Sequence, residues 1–276
     1  MEQWECVPHQ TYPSIMALFI RSLLLIFPVI LNAQALQLAP PQYSTDEVFF
    51  SEKTQAILSF DLEKSSIHYA FSGIPTQRSP IYAHPLTLRS SCRLRAISTH
   101  PDYLPSAVTE KIFIKVKYLP EKTNLITPAH NNYPGQSAKS LFDLKKGSLN
   151  LHDGNWLGFT SDTIVVESVF NQDIRCKSIL ISTLSDLNAW VLPMQKITVF
   201  GETPHGDWQK IGCWKSSDPG SLLSAPIDYA LFKAIQLCPL KTKKFRIEII
   251  SFGNLPKTHA GSGTPAWFFM DEIIFQ

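Results

Sequence analysis

The chain holds no dense run of lysine and arginine, and this removes one large class of function first. A formal charge of +2 over 276 residues falls far short of the basic stripe that a phosphate backbone requires, so nucleic acid is not an expected partner. Lys241, Lys243, Lys244 and Arg246 do cluster, but Lys244 and Arg246 alternate with Phe245 and Ile247, as on the solvated face of a strand. Glycine is scarce, at 12 residues, and Gly201-Glu202-Thr203-Pro204-His205-Gly206 reads as a hairpin loop, not a phosphate cradle. No Gly-x-Ser-x-Gly occurs, and no cysteine stands with a histidine in a nucleophilic arrangement. The 5 cysteines include no CxxC and no Cys/His pair at metal spacing, which argues against a zinc module and a dense disulfide framework. Helical periodicity is missing as well: no segment keeps a 3.6-residue apolar repeat over three turns.

What is present begins at the N-terminus. Ser22 to Leu31 is an apolar run, preceded by Arg21 and followed by Asn32-Ala33-Gln34-Ala35. A basic residue, a short apolar stretch and small residues two apart predict a secretory signal cleaved after Ala35. The stretch is too short to span a bilayer, and Pro28 interrupts it. Met16 gives the signal an ordinary length and is the expected start; a retained N-terminal anchor is the alternative. Loss of residues 1–35 leaves 24 basic and 21 acidic residues, a net +3, with Cys92, Cys176, Cys213 and Cys238. No cysteine follows the cleavage site to carry a lipid. The expected product is exported, to a bacterial periplasm, a cell surface or the medium, with no membrane span after cleavage.

Past the signal, 44% hydrophobic and 17% charged residues describe a globular chain. Its 20 prolines separate short segments of period-two alternation: Ile67 to Phe71, Cys92 to Ala96 and Lys111 to Val116, then Ile164 to Phe170, Ser178 to Ser182, Ile197 to Phe200, Leu231 to Leu237, Lys244 to Ile250 and Trp267 to Phe275. Such segments are antiparallel strands, and many of them with turn signals between imply sandwiches. The pattern pauses at Leu119-Pro120-Glu121-Lys122-Thr123-Asn124 and stays loop-rich through Gly135. An all-β fold of two β-sandwich modules, 36–119 and 120–276, is therefore predicted.

The first module resembles the small immunoglobulin-like domain near the C-terminus of chitobiases and β-hexosaminidases. The residues that carry this are Phe49-Phe50, the run from Ile67 and Tyr69 through Gly73, Pro75, Thr76, Ser79 and Tyr82, and Leu94-Arg95-Ala96. The second resembles a discoidin-like domain of the coagulation factor V/VIII type C kind, through Tyr133-Pro134-Gly135, Leu141-Phe142-Asp143, Lys146-Gly147-Ser148-Leu149-Asn150 and Asp153-Gly154-Asn155-Trp156-Leu157-Gly158-Phe159. Ala189-Trp190-Val191, Lys244-Phe245-Arg246-Ile247 and Ala266-Trp267-Phe268-Phe269-Met270-Asp271-Glu272-Ile273 extend it. This resemblance implies an eight-stranded jelly-roll sandwich. In β-hexosaminidases these modules follow a catalytic (β/α)8 barrel, which needs upward of about 200 residues and finds no room here.

Three functions follow as expectations. The first is a non-catalytic carbohydrate-binding or glycosidase-accessory protein. The second is a structural or adhesive spacer that binds cell-surface proteins. The third is a hydrolase built on a carboxylate pair about 5–10 Å apart, drawn from Asp143, Asp153, Asp271 and Glu272. The resemblance gives Asp143 and Glu272, with Ser148 and main-chain carbonyls, to one structural Ca²⁺ instead. The family usually carries glycine after that aspartate. Leu144 stands there in this chain, so a positive φ would strain it and a differently shaped loop is the alternative. For glycans the candidate residues are Trp156 as a stacking platform, Asp153 and His259. Trp190 and Trp267 lie in strand patterns and read as core; Trp208 and Trp214 flank a hairpin and read as exposed.

Overall fold

Alternation in the sequence becomes strand nearly everywhere it was clear. The computed structural model describes residues 36–44, 47–216 and 228–276; the expected signal peptide, the start at Met16 and the cleavage after Ala35 lie outside the described residues. The chain divides into Met1–Ala35 and a compact unit, Leu36–Gln276. The compact unit opens with β1 (Gln42–Tyr43), β2 (Phe49–Phe50), β3 (Thr54–Ala56), β4 (Leu58–Ser59), β5 (Ser66–Ala70), β6 (Leu86–Leu88), β7 (Cys92–Thr99) and β8 (Thr109–Lys115). It continues with β9 (Lys122–Leu125), β10 (Gly135–Ala138), β11 (Leu157–Phe159), β12 (Thr163–Arg175) and β13 (Ser178–Ser185). The last strands are β14 (Lys196–Glu202), β15 (Trp208–Lys215), β16 (Asp228–Gln236), β17 (Lys241–Ile250) and β18 (Phe268–Phe275). Among the described residues the helical pieces are two short 3₁₀ turns, Lys139–Leu141 and Leu187–Ala189, and no helix is long and apolar enough to cross a membrane.

In the N-terminal part a four-stranded sheet, β2-β8-β7-β5, faces two strand pairs, β1-β4 and β3-β6. Their shared core holds Phe50, Leu58, Leu88, Leu94 and Phe113. From residue 122 onward a five-stranded sheet, β15-β14-β17-β12-β9, packs on a four-stranded one, β11-β18-β13-β16. That makes nine strands in two sheets, where eight were expected. β9 lies in the segment read as an interruption: it pairs with Val166 to Val169 of β12. As a sheet edge with no fully buried residue, it carries little apolar alternation to read. β15, at the other edge, is exposed or partly exposed at seven of its eight positions, with only Ile211 buried among Trp208 to Lys215.

β17 shows why the pattern was legible. Phe245, Ile247 and Ile249 are fully buried, each worth about 1.5–3 kcal/mol of burial. On its other face Lys244 pairs with Glu202 at 2.7 Å and Arg246 with Glu167 at 3.2 Å. Two of the four basic residues of the cluster are thus held in intramolecular ion pairs on a strand face, and Lys241 and Lys243 are exposed.

β18 is different, because every one of its residues is buried. Phe268, Met270, Ile273 and Phe275 enter the core between the two sheets. Ile274 points the other way, into an apolar cluster with Phe49, Ile114 and Val116 of the N-terminal part, flanked by Leu144, Leu180 and Phe232. Apart from two consecutive acids, Asp271 and Glu272, the strand is apolar, because it is covered on both faces.

Candidate functional site

Core residues along β18 are spaced by two up to Met270, then by three to Ile273. The register of β18 against β13 shifts at the same place, with Ser182 opposite Glu272 but Thr183 opposite Met270. A β-bulge of this kind adds one residue and re-aims side chains. Here it leaves two consecutive acids, Asp271 and Glu272, away from the main core, and both are fully buried. Asp271 is compensated on one oxygen: its Oδ2 accepts from Lys146 Nζ and from the Gly147 N–H, both at 2.7 Å, while its Oδ1 has no partner. Glu272 is not, since neither of its carboxyl oxygens has a hydrogen-bond partner. Burial first, then the charges of Asp271 and Asp143, push its pKa up to about 10, and the nearby Leu144 N–H and Lys146 oppose the rise only in part. Asp143 is also raised, chiefly by burial. A buried carboxyl with bare oxygens, beside further carboxylates, is the arrangement a cation would relieve.

Leu144 adopts φ +64, so the loop takes the glycine-like conformation even with leucine in place. Such a conformation costs a non-glycine residue on the order of 1–3 kcal/mol, offset here because the Leu144 side chain packs on the cluster of Phe49, Ile114 and Ile274. Carboxylate oxygens of the kind that Asp143 and Glu272 carry are hard ligands, the type that Ca²⁺ takes. Ser148 is differently employed. Its N–H donates to Asp153 Oδ2, its Oγ accepts from the Asn150 N–H, and its carbonyl accepts from Trp156 Nε1 at 2.7 Å. Among the described residues no group of three or more His, Cys, Asp or Glu is arranged to hold a metal ion, so side chains alone do not make this site.

The loop from Gly147 to Trp156 is braced from within. Asp153 accepts the Ser148 N–H on one oxygen and the Asn155 N–H on the other, which makes it a loop brace where a ligand contact was expected. Trp156 is 1% exposed and packs with Leu184, Val191 and Phe269. The Gly147 backbone lies against its ring, so close that a Cβ there would sit 2.1 Å from Cε2, and Lys146 Nζ lies 4.2 Å from a ring centroid. Trp156 is therefore not the platform that its loop context suggested: both faces are covered.

Like Trp208 at the β15 edge, which was expected to be exposed, Trp190 is an exposed ring, although it was expected in the core. It caps the Leu187–Ala189 turn at φ +63, a conformation uncommon for a bulky residue, and is 42% exposed. Asp186 fixes the turn by accepting the Asn188 and Ala189 N–H groups. His259 packs edge-on to Trp190 with centroids 6.0 Å apart. Its Nδ1 accepts the Gly261 N–H at 3.0 Å and its Nε2 lies 3.2 Å from the Leu187 carbonyl, which places the ring proton on Nε2. His259 thus ties its own loop to the Trp190 turn. The Trp267 N–H bonds to the Trp190 carbonyl at 2.8 Å. Trp267 then meets His130 at 4.9 Å and Tyr133 at 5.0 Å, and Tyr133 stacks on His152 at 4.9 Å. Two ring groups result, Trp190 with His259 and Trp267 with His130, Tyr133 and His152, joined by that backbone hydrogen bond. Period-two reading cannot find the first, because Trp190 follows a turn whose geometry depends on the Asp186 cap.

A family model described as Fn3 associated matches residues 57–113. No curated protein matches the chain. Among solved structures, the chain is similar to a family 32 carbohydrate-binding module from Streptococcus pneumoniae EndoD, at 10% identity over 57% of this chain and 97% of that one, with a TM-score of 0.39. It is also similar to a Clostridium perfringens module in complex with GalNAc-β-1,3-galactose, at 11% identity over 56% and 93% of the two chains and a TM-score of 0.37. A chitosan-binding module from a chitosanase/glucanase of Paenibacillus sp. IK-5 is similar at 10% identity over 57% and 96%, with a TM-score of 0.35.

Proposed function

We propose that this chain is an exported, non-catalytic carbohydrate-binding or glycosidase-accessory protein, whose C-terminal module, 120–276, takes a glycan end on the aromatic surface around Trp190. The observation that carries the reading is Trp190 itself: a tryptophan held at positive φ, 42% exposed, with His259 edge-on to its ring and the Trp267–Tyr133 pair joined to it through the backbone. Sugars offer apolar C–H faces to rings of this kind, and neighbouring polar groups take their hydroxyls. Absence of catalysis is supported by the state of the acids: Asp271 and Glu272 are fully buried, and both oxygens of Asp153 serve the loop. Export rests on the Ala33-x-Ala35 signal pattern.

One structural Ca²⁺ on Asp143, Glu272 and loop carbonyls belongs to the same proposal. Bound there, the ion supplies the positive charge that the buried Glu272 carboxylate lacks and fixes the 143–148 loop against β18. It is assigned no part in glycan contact.

A shallow site of one exposed ring gives a dissociation constant on the order of 0.1–1 mM, about 4–5.5 kcal/mol. A glycan array followed by NMR titration of the best hit tests the reading. Saturable shifts around Trp190 and Trp267 that Trp190→Ala abolishes, with an unchanged melting temperature, are the expected result. No binding by any glycan up to tens of millimolar removes it and leaves the adhesive spacer, which binds cell-surface proteins, in its place.

A further inference from the structure

A second surface adjoins the braced loop on its other side. The N-terminal part and the segment from Leu144 to Asn155 enclose a cleft of about 1250 Å³. Tyr43, Glu47, Thr109 and Ile112 stand on one wall, and Leu149 and Asn155 on the other. Its charges are largely compensated internally. Arg93 pairs with Glu110 at 3.3 Å and Lys146 with Asp271 at 2.7 Å, Glu47 accepts the Thr54 hydroxyl, and Asp153 is filled by backbone N–H groups. Lys111 and Lys145 line it as well, so Arg93, Lys111, Lys145 and Lys146 stand against Glu47, Glu110 and Asp153, with Asp271 on Lys146, and no large surplus of one sign is left to select an ion. It does present apolar plates, with Leu149 60% exposed and Ile112 half-buried, between side chains that hydrogen-bond hydroxyls. A neutral chain with apolar faces and polar edges matches that lining, and an oligosaccharide is such a chain.

One loop joins the cleft to the Tyr133–Trp267 ring group. Ser148, Leu149, Asp153 and Asn155 line the cleft, while His152 of the same loop stacks on Tyr133. We propose, resting on the carbohydrate reading above, that one glycan chain engages both: its end at Trp190, and its following sugars across the 148–155 loop into the cleft against the N-terminal part. The two modules then read glycan length together, and affinity rises with the number of linked sugars because the second contact is intramolecular.

The test titrates the whole chain 36–276 with N-acetyllactosamine and with a hexasaccharide of three N-acetyllactosamine repeats. Three repeats raise affinity by about threefold on statistics alone; the expected gain is at least tenfold, with hexasaccharide-specific NMR shifts at Thr109 to Ile112. Leu149→Glu and Asn155→Ala alter side chains on the cleft wall. Each is expected to reduce the gain to the statistical value and to leave disaccharide affinity unchanged. Disaccharide binding with no extra gain, or a gain untouched by both variants, overturns this inference and spares the Trp190 site. Binding of neither sugar, with a silent glycan array, overturns both.

Discussion

Glu272 is the residue whose state most directly reports on the fold. In the unfolded chain it titrates near its ordinary 4.5, whereas in the folded chain burial and two neighbouring acids raise it to about 10. Between those values the unfolded state has released a proton that the folded state keeps, so metal-free stability is greatest below about pH 4.5 and declines as pH rises toward 10. The slope is at most about 1.4 kcal/mol per pH unit. Thermal melts in chelator are expected to show a falling Tm from pH 5 to pH 8, and Glu272→Gln is expected to flatten that trend. Added Ca²⁺ acts in the opposite sense: it raises Tm at pH 8 by mass action, hardly at pH 5, and not at all in Asp143→Asn. Equal melting with chelator and with Ca²⁺ at pH 8 rules out the ion. Trp156 gives a contrasting test. Because it is 1% exposed, Trp156→Ala is expected to lose about 3–5 kcal/mol in urea unfolding, whereas Trp190→Ala leaves stability within about 0.5 kcal/mol and removes glycan binding.

Among the strands, β18 joins the molecule together. Its bulge turns Asp271 and Glu272 away from the main core, and Ile274 meets Phe49, Ile114 and Val116. Ile274→Ala is expected to cost about 2–5 kcal/mol and, because that contact links the two parts, to broaden the urea transition. A sharp transition at the original midpoint contradicts that role. The run Trp267 to Phe275 was recognisable as a strand from apolar content alone. Its bulge was not, since a nearly unbroken apolar run hides a change of spacing from two to three. β9 and β15 were missed for the opposite reason: as sheet edges they bury little, and the alternation that marks a strand is weak in them.

For the whole molecule, two consequences can be checked apart from the site. The exported protein is expected to begin at Leu36, as N-terminal sequencing of secreted material reveals; retention of residues 1–35 contradicts the signal. Gly147→Ala is expected to disturb the molecule widely, because a Cβ 2.1 Å from the Trp156 ring displaces a core side chain and the 147–156 loop with it. Overpacking of that sort costs about 1–3 kcal/mol, and the drop in Tm should be accompanied by NMR shifts at residues 147–156 on one side and 109–112 across the cleft. The all-β character and most strand positions were legible in the sequence, because alternation, proline and turn chemistry are local properties of neighbouring residues. The sequence also placed Asp143 and Glu272 in candidate metal-ligand roles, through the residues of the discoidin-like resemblance. That Trp156 is covered and Trp190 exposed is an outcome of packing between distant segments. It depends on Gly147 lying flat against one ring and Asp186 turning the chain under the other, which no spacing along the chain encodes.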